Sequence, residues 1–151
     1  MGILYITCGV PGSGKSTWCR ENVPPTARHI SRDTIRYSMV KPNEPYFSKE
    51  KEVFNEFVRQ IKEGLAIGDV YADATHLNRA SRDKLINAVG VNTPDAIVAL
   101  VFKVPLETCI LRNSQRSGRE YVPEDQIEIM YNNFRIPTRN ERFTKILIKE
   151  D

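Results

Sequence analysis

The residues that most plainly carry chemistry are Gly9-Val10-Pro11-Gly12-Ser13-Gly14-Lys15-Ser16, which match the spacing GxxxxGK[ST] without a mismatch. In such a loop Gly9, Gly12 and Gly14 let successive backbone N–H groups, Ser13 included, curl around a β-phosphate. Lys15 then reaches the β and γ oxygens, the Ser16 hydroxyl is a magnesium ligand, and Thr17 is a supporting residue. The pattern predicts a site for ATP and Mg2+, with the phosphates on the N-terminus of the helix that follows.

Binding a nucleoside triphosphate does not define a reaction, so the other polar clusters must choose one. Ser31-Arg32-Asp33-Thr34-Ile35-Arg36 places an acid where a strand ends, the edge at which ligands bind in open α/β folds. Asp33 is the candidate general base, able to orient an acceptor hydroxyl and take its proton. Arg36 lies one helical turn on, placed to steer Asp33 or to hold a substrate phosphate, and Arg32 is grouped with it on the acceptor side. The same local sequence also fits an aspartate N-cap followed by a surface arginine. Asp73 ends Val70-Tyr71-Ala72 like a Walker B carboxylate, acting on magnesium through water or ordering the acceptor loop. Thr75 and Asn78 follow on that loop as acceptor candidates, although such residues often only form turns. His29 and His76 have no metal-ligand spacing with each other or with the cysteines.

Arg112, Arg116 and Arg119 gather in a stretch with Ser114, Ser117 and Gly118 and no acid, which reads as a lid over about residues 113–122. Arg116 is the candidate for the transferring phosphoryl group, and Arg112 for the nucleotide, stacking on its base. No DxxG follows Asp69 or Asp73, no NKxD occurs, and Ala74 stands where many ATPases carry a water-activating glutamate. These absences disfavour a GTPase switch or motor.

The elements that must position these groups follow from periodicity. Short apolar or β-branched runs predict strands at Ile3–Cys8, Arg28–Ser31, Val70–Asp73, Ala96–Val104 and Phe143–Ile148. Between them lie helical patterns at Lys15–Asn22, Asp33–Met39 and Arg79–Val89, and a long amphipathic segment carrying Val53, Phe57, Ile61 and Leu65. Pro105 is expected as the first residue of a helix to about Asn113, and Pro123 to open another that carries Ile127, Met130 and Phe134. Alternation of strands and helices predicts an α/β fold with a mostly parallel sheet covered on both faces.

The chain has 151 residues, 40% hydrophobic and 27% charged, with a net charge of +3. That composition is globular and excludes disorder and fibrous architectures, and the length fits one domain, taken as 1–151. The longest apolar run, Ala96 to Phe102, is too short to cross a bilayer. Three cysteines and no basic leader before Lys15 predict a cytoplasmic protein.

Four blocks, GVPGSGKSTWCRE, SRDTIRYS, DATHLNRASR, and FKVPLETCILRNSQR with VPEDQIEIMY, together resemble the kinase domain of the phage polynucleotide 5′-kinase family, in the P-loop phosphotransferase superfamily. The resemblance runs through most of the chain. It implies an adenylate-kinase-like three-layer fold on a five-stranded sheet, with a tunnel that admits a single-stranded 5′ end of DNA or RNA. It further implies that Lys15 and Ser16 engage ATP and magnesium, Asp33 is the base, Arg36 contacts substrate phosphate and Arg116 is the lid arginine. No DxDxT occurs in these residues, so the activity of the phage enzyme's C-terminal phosphatase is not expected of them, and Arg119-Glu120-Tyr121 departs from the family lid. Two other functions fit the residues: a kinase of another hydroxyl, on a hydroxymethylated base in DNA or a small metabolite, and a nucleotide-binding regulator.

Overall fold

The computed structural model describes residues 2–150, built as strands β1 (Ile3–Cys8), β2 (Arg28–Ser31), β3 (Val70–Asp73), β4 (Ala96–Lys103) and β5 (Lys145–Glu150). Helices α1 (Lys15–Asn22), α2 (Arg32–Met39), α3 (Glu50–Leu65), α4 (Arg79–Val89), α5 (Leu106–Ser114) and α6 (Glu124–Asn133) connect them. The sheet order is β2-β3-β1-β4-β5, and every neighbouring pair is parallel. The fold is therefore α/β with an all-parallel sheet, more uniform than the mostly parallel one expected. Each connection between strands includes a helix, which is what parallel neighbours require.

Alternation along the strands sorts side chains to the two faces. Leu4, Ile6 and Cys8 point to the face covered by α3 and α4, where Phe57, Ile61, Leu85 and Ile86 are buried. On the opposite face Tyr71, Val98, Leu100 and Phe102 pack with Cys19 and Trp18 of α1. A third cluster of Val10, Val104, Cys109 and Ile127 seats α5 and α6 beside the phosphate loop. One buried ion pair braces this end: Arg82, fully buried on α4, donates to Glu141 at 2.7 and 3.2 Å and to the His76 carbonyl at 2.8 Å.

Several boundaries differ from expectation. Pro105 and Pro123 precede their helices in the cap position and are not the first helical residues. The last strand runs Lys145–Glu150, two residues later than its apolar run, because Phe143 packs against the core from the preceding turn. Among the described residues no helix is long and apolar enough to cross a membrane.

Candidate active site

The chain leaves β1 toward β2 on one side and leaves β4 toward β5 on the other, so a crevice opens at the carboxyl ends of these adjacent strands. The glycine loop fills its mouth. Gly12 and Gly14 hold φ of +85° and +92°, and a Cβ on Gly12 would lie 2.4 Å from the Cys109 carbonyl oxygen, so only glycine fits against α5. Lys15 is 8% exposed and its Nζ donates to the Val10 carbonyl at 3.1 Å. Burial pushes its pKa down, against the pull of the Asp73 and Asp33 carboxylates. The loop is tied to the neighbouring strand end through Gly9 N, which donates to the Thr75 carbonyl at 2.9 Å.

Ser16 Oγ donates to Asp73 Oδ2 at 2.7 Å, and His29 Nε2 meets the same oxygen at 2.8 Å. Burial would raise the Asp73 pKa, but these hydrogen bonds and the Lys15 charge outweigh it and hold the carboxyl below its ordinary value. Two hard oxygen donors side by side beneath a phosphate loop fit a magnesium ion. Cys19, His29 and Asp73 also offer ligand atoms within 4.8 Å of one another, a convergence that spacing along the chain does not reveal.

The acceptor side is built differently. Ser31, not Asp33, caps α2, with its hydroxyl accepting from Thr34 N at 3.3 Å. Asp33 is thereby released from the cap, and its side chain is 62% exposed, facing a cleft of about 1270 Å³ that also holds Lys15, Ser16, Asp73 and Arg116. Arg36 is 8% exposed and held fast: Nε and Nη2 donate to Glu50 at 2.6 and 2.8 Å, and Nη1 to Asp33 Oδ1 at 2.5 Å. Burial disfavours its charge, yet the Glu50 and Asp33 carboxylates raise its pKa overall. Its guanidinium also lies 5.0 and 5.2 Å from the ring centroids of Tyr46 and Phe47. Arg36 is thus committed to orienting Asp33. The Tyr46 hydroxyl adds a second hydrogen bond to Asp33 Oδ1, at 3.2 Å, and burial pushes its pKa up, so it stays a donor. Arg32 shares Glu50 at 3.3 Å, while its Nε is buried with no partner.

The predicted lid, residues 113–122, is clasped at its base by Asn113, which donates to the Val122 carbonyl at 2.6 Å and accepts from Val122 N at 3.0 Å. Arg116 lines the cleft. Arg119 reaches across to the carbonyls of Tyr37 and Val40, joining the lid to α2. Arg112 donates to the Gly12 carbonyl at 3.4 Å and lines a second, smaller cavity with Ser13, Thr17, Trp18 and Lys149. Thr75 lines the main cleft, whereas Asn78 lies outside it and caps α4, accepting from Ser81 N at 2.9 Å. His76 is buried: its Nδ1 donates to the Thr7 carbonyl at 2.7 Å, and burial lowers its pKa to about 4. Tyr46, Glu50 and His29 carry no sequence signal of a site role, since their hydrogen-bond partners Asp33, Arg36 and Asp73 lie outside their own elements, and Phe47 meets Arg36 only across the segment between two helices.

Residues 4–137 match the AAA domain family AAA_33. The chain belongs to it. Transcription factor bHLH140 of Arabidopsis thaliana is 28% identical over 96% of this chain, but the chain spans only 16% of that protein. Among solved structures, Chaetomium thermophilum Kti12 in complex with ADP-AlF3 superposes with a TM-score of 0.70 at 17% identity, covering 97% of this chain and 88% of that one. A gluconokinase from Sinorhizobium meliloti 1021 gives 0.65 at 17% identity, over 97% of this chain and 81% of that one. A fungal RNA kinase gives 0.65 at 14% identity, over 97% of this chain and 74% of that one. At these identities the likeness is one of fold, and that fold is the P-loop kinase fold.

Proposed function

We propose that this family member transfers the γ-phosphate of ATP to the 5′-hydroxyl of a DNA or RNA end. The observation that carries the reading is the exposed Asp33 carboxylate, held by Arg36 and Tyr46, in the same cleft as Lys15, Ser16 and Arg116. A base opposite a phosphate loop is the arrangement in-line phosphoryl transfer needs. Asp33 accepts the proton of the acceptor hydroxyl while its oxygen forms the bond to the γ-phosphorus, and the bond to the bridging oxygen breaks to release ADP. Lys15 holds the β and γ oxygens, and Arg116 approaches the transferring group from the lid. Ser16 and Asp73 would hold the magnesium ion, which when bound neutralises phosphate charge. Arg36 is a positioning residue in this scheme, because Glu50 already occupies the donors a substrate phosphate would need.

Label from γ-labelled ATP should appear on oligonucleotides with a 5′-hydroxyl and vanish both with Asp33→Asn and with a 5′-phosphorylated substrate. A kinase acting on a small hydroxylated metabolite is the second reading, favoured by the equal likeness to the gluconokinase fold. Label on free sugars or nucleosides and none on oligonucleotides would select it.

A further inference from the structure

Phe47 is 63% exposed at the rim of the catalytic cleft, on the segment between α2 and α3. A phenyl ring in water is commonplace on a surface, but this one is fixed in place. Its ring meets the Tyr46 ring edge-on, with centroids 4.9 Å apart and planes at 81°, and the Arg36 guanidinium stands 5.2 Å from its centre. Arg36 is itself pinned by Glu50 and Asp33, so the exposed ring is braced by the same pair that orients the base.

We infer that Phe47 is the stacking platform for the terminal nucleobase of the acceptor, an inference that rests on the polynucleotide reading above. Tyr46 supplies the ruler. Its hydroxyl marks Asp33, where the acceptor oxygen reacts, and its ring marks the inner edge of Phe47. Phe47 is thus linked to Asp33 through the single side chain of Tyr46, which touches both. In this reading a nucleoside lies with its sugar hydroxyl at Asp33 and its base on Phe47, a two-part form that a lone sugar lacks. Stacking tolerates any base, since each presents a π face, so the platform favours nucleic-acid ends without choosing their sequence. Lys84, 4.6 Å from the Phe54 ring, lines the same cleft and gives it positive charge for the strand that follows, and Arg32 beside it keeps a buried Nε without a partner although its Nη2 is paired with Glu50.

The test compares two 5′-hydroxyl oligonucleotides, identical except that one carries an abasic residue at its 5′ end, with the wild-type protein, Phe47→Ala and Phe47→Trp. With wild type, loss of the terminal base should raise KM about tenfold or more with kcat little changed. Phe47→Ala should raise KM by a similar factor on the base-bearing substrate and add nothing on the abasic one; Phe47→Trp should restore the difference. Unaltered thermal unfolding and ATP affinity in Phe47→Ala verify that the fold is intact. If wild type treats the two substrates alike, or if Phe47→Ala impairs both equally, the platform is wrong while the kinase reading stands. Label on neither oligonucleotide with wild type overturns both.

Discussion

The donor and acceptor halves of the cleft are made of different material. The donor half is backbone: a glycine loop at positive φ, pressed against α5 so closely that a methyl group at Gly12 has no room. The acceptor half is side chain, a chain of contacts from Glu50 through Arg36 to Asp33, with Tyr46 and Phe47 laid against it. Phosphates are alike in all nucleotides, and backbone N–H groups suffice to hold them. Acceptors differ, and a surface of side chains can change without moving the strands.

If that division is right, changes on the acceptor half should cost turnover and leave nucleotide affinity alone. Asp33→Asn should lower kcat by about 10²–10⁴-fold with ATP binding unchanged, measured by label transfer beside nucleotide titration. A parallel loss of ATP affinity would break the division. On the donor half, Gly12→Ala should weaken ATP binding whatever the acceptor and lower the unfolding temperature. The strained backbone alone costs about 1–2 kcal/mol, before the contact with Cys109 is counted. Normal nucleotide affinity in this variant would show that the loop tolerates more than its packing implies.

Glu50→Gln separates positioning from folding. Removing the carboxylate that pairs with the buried Arg36 should cost about 1.5–3 kcal/mol in urea unfolding, and kcat should fall as Asp33 loses its guide. Full stability would mean that Asp33 alone holds the guanidinium. Beneath the donor half, His76 links stability to pH. Its folded pKa is about 4 against 6.5 ordinarily, so below pH 6.5 the unfolded chain takes up a proton that the folded one refuses. Stability is thus fully present above pH 6.5 and falls by about 1.4 kcal/mol per pH unit toward pH 4. His76→Asn, whose side chain tolerates the positive φ of 40° found there, should flatten that slope; an unchanged slope would assign it to other groups. The smallest effect is expected from Tyr46→Phe. Loss of one hydrogen bond of 3.2 Å to Asp33 should reduce kcat by a factor of about 2–10, with no change in ATP affinity.

The donor half was the more legible in the sequence because its chemistry is local. Eight consecutive residues specify the loop, and the strand before it and the helix after it are set by runs of apolar residues. Asp33 and Arg36 were legible for the same reason, since three residues of helix bring them together. The ambiguity over capping was not resolvable locally: Ser31 and Asp33 are both cap formers, and the structure gives the cap to Ser31. Asn78 shows the converse, a polar loop residue that turns out to cap a helix outside the cleft.

By itself the sequence determined the order of strands and helices, the phosphate loop and the pairing of Asp33 with Arg36, because each rests on hydrophobic period or on neighbours a few residues apart. Only the tertiary structure decided that all five strands run parallel, that Glu50 claims Arg36, and that His29 joins Ser16 on Asp73. It also brought Phe47 to the rim of the cleft. These are contacts between segments far apart in the chain, fixed by which faces the packed helices bury, and no local pattern encodes them.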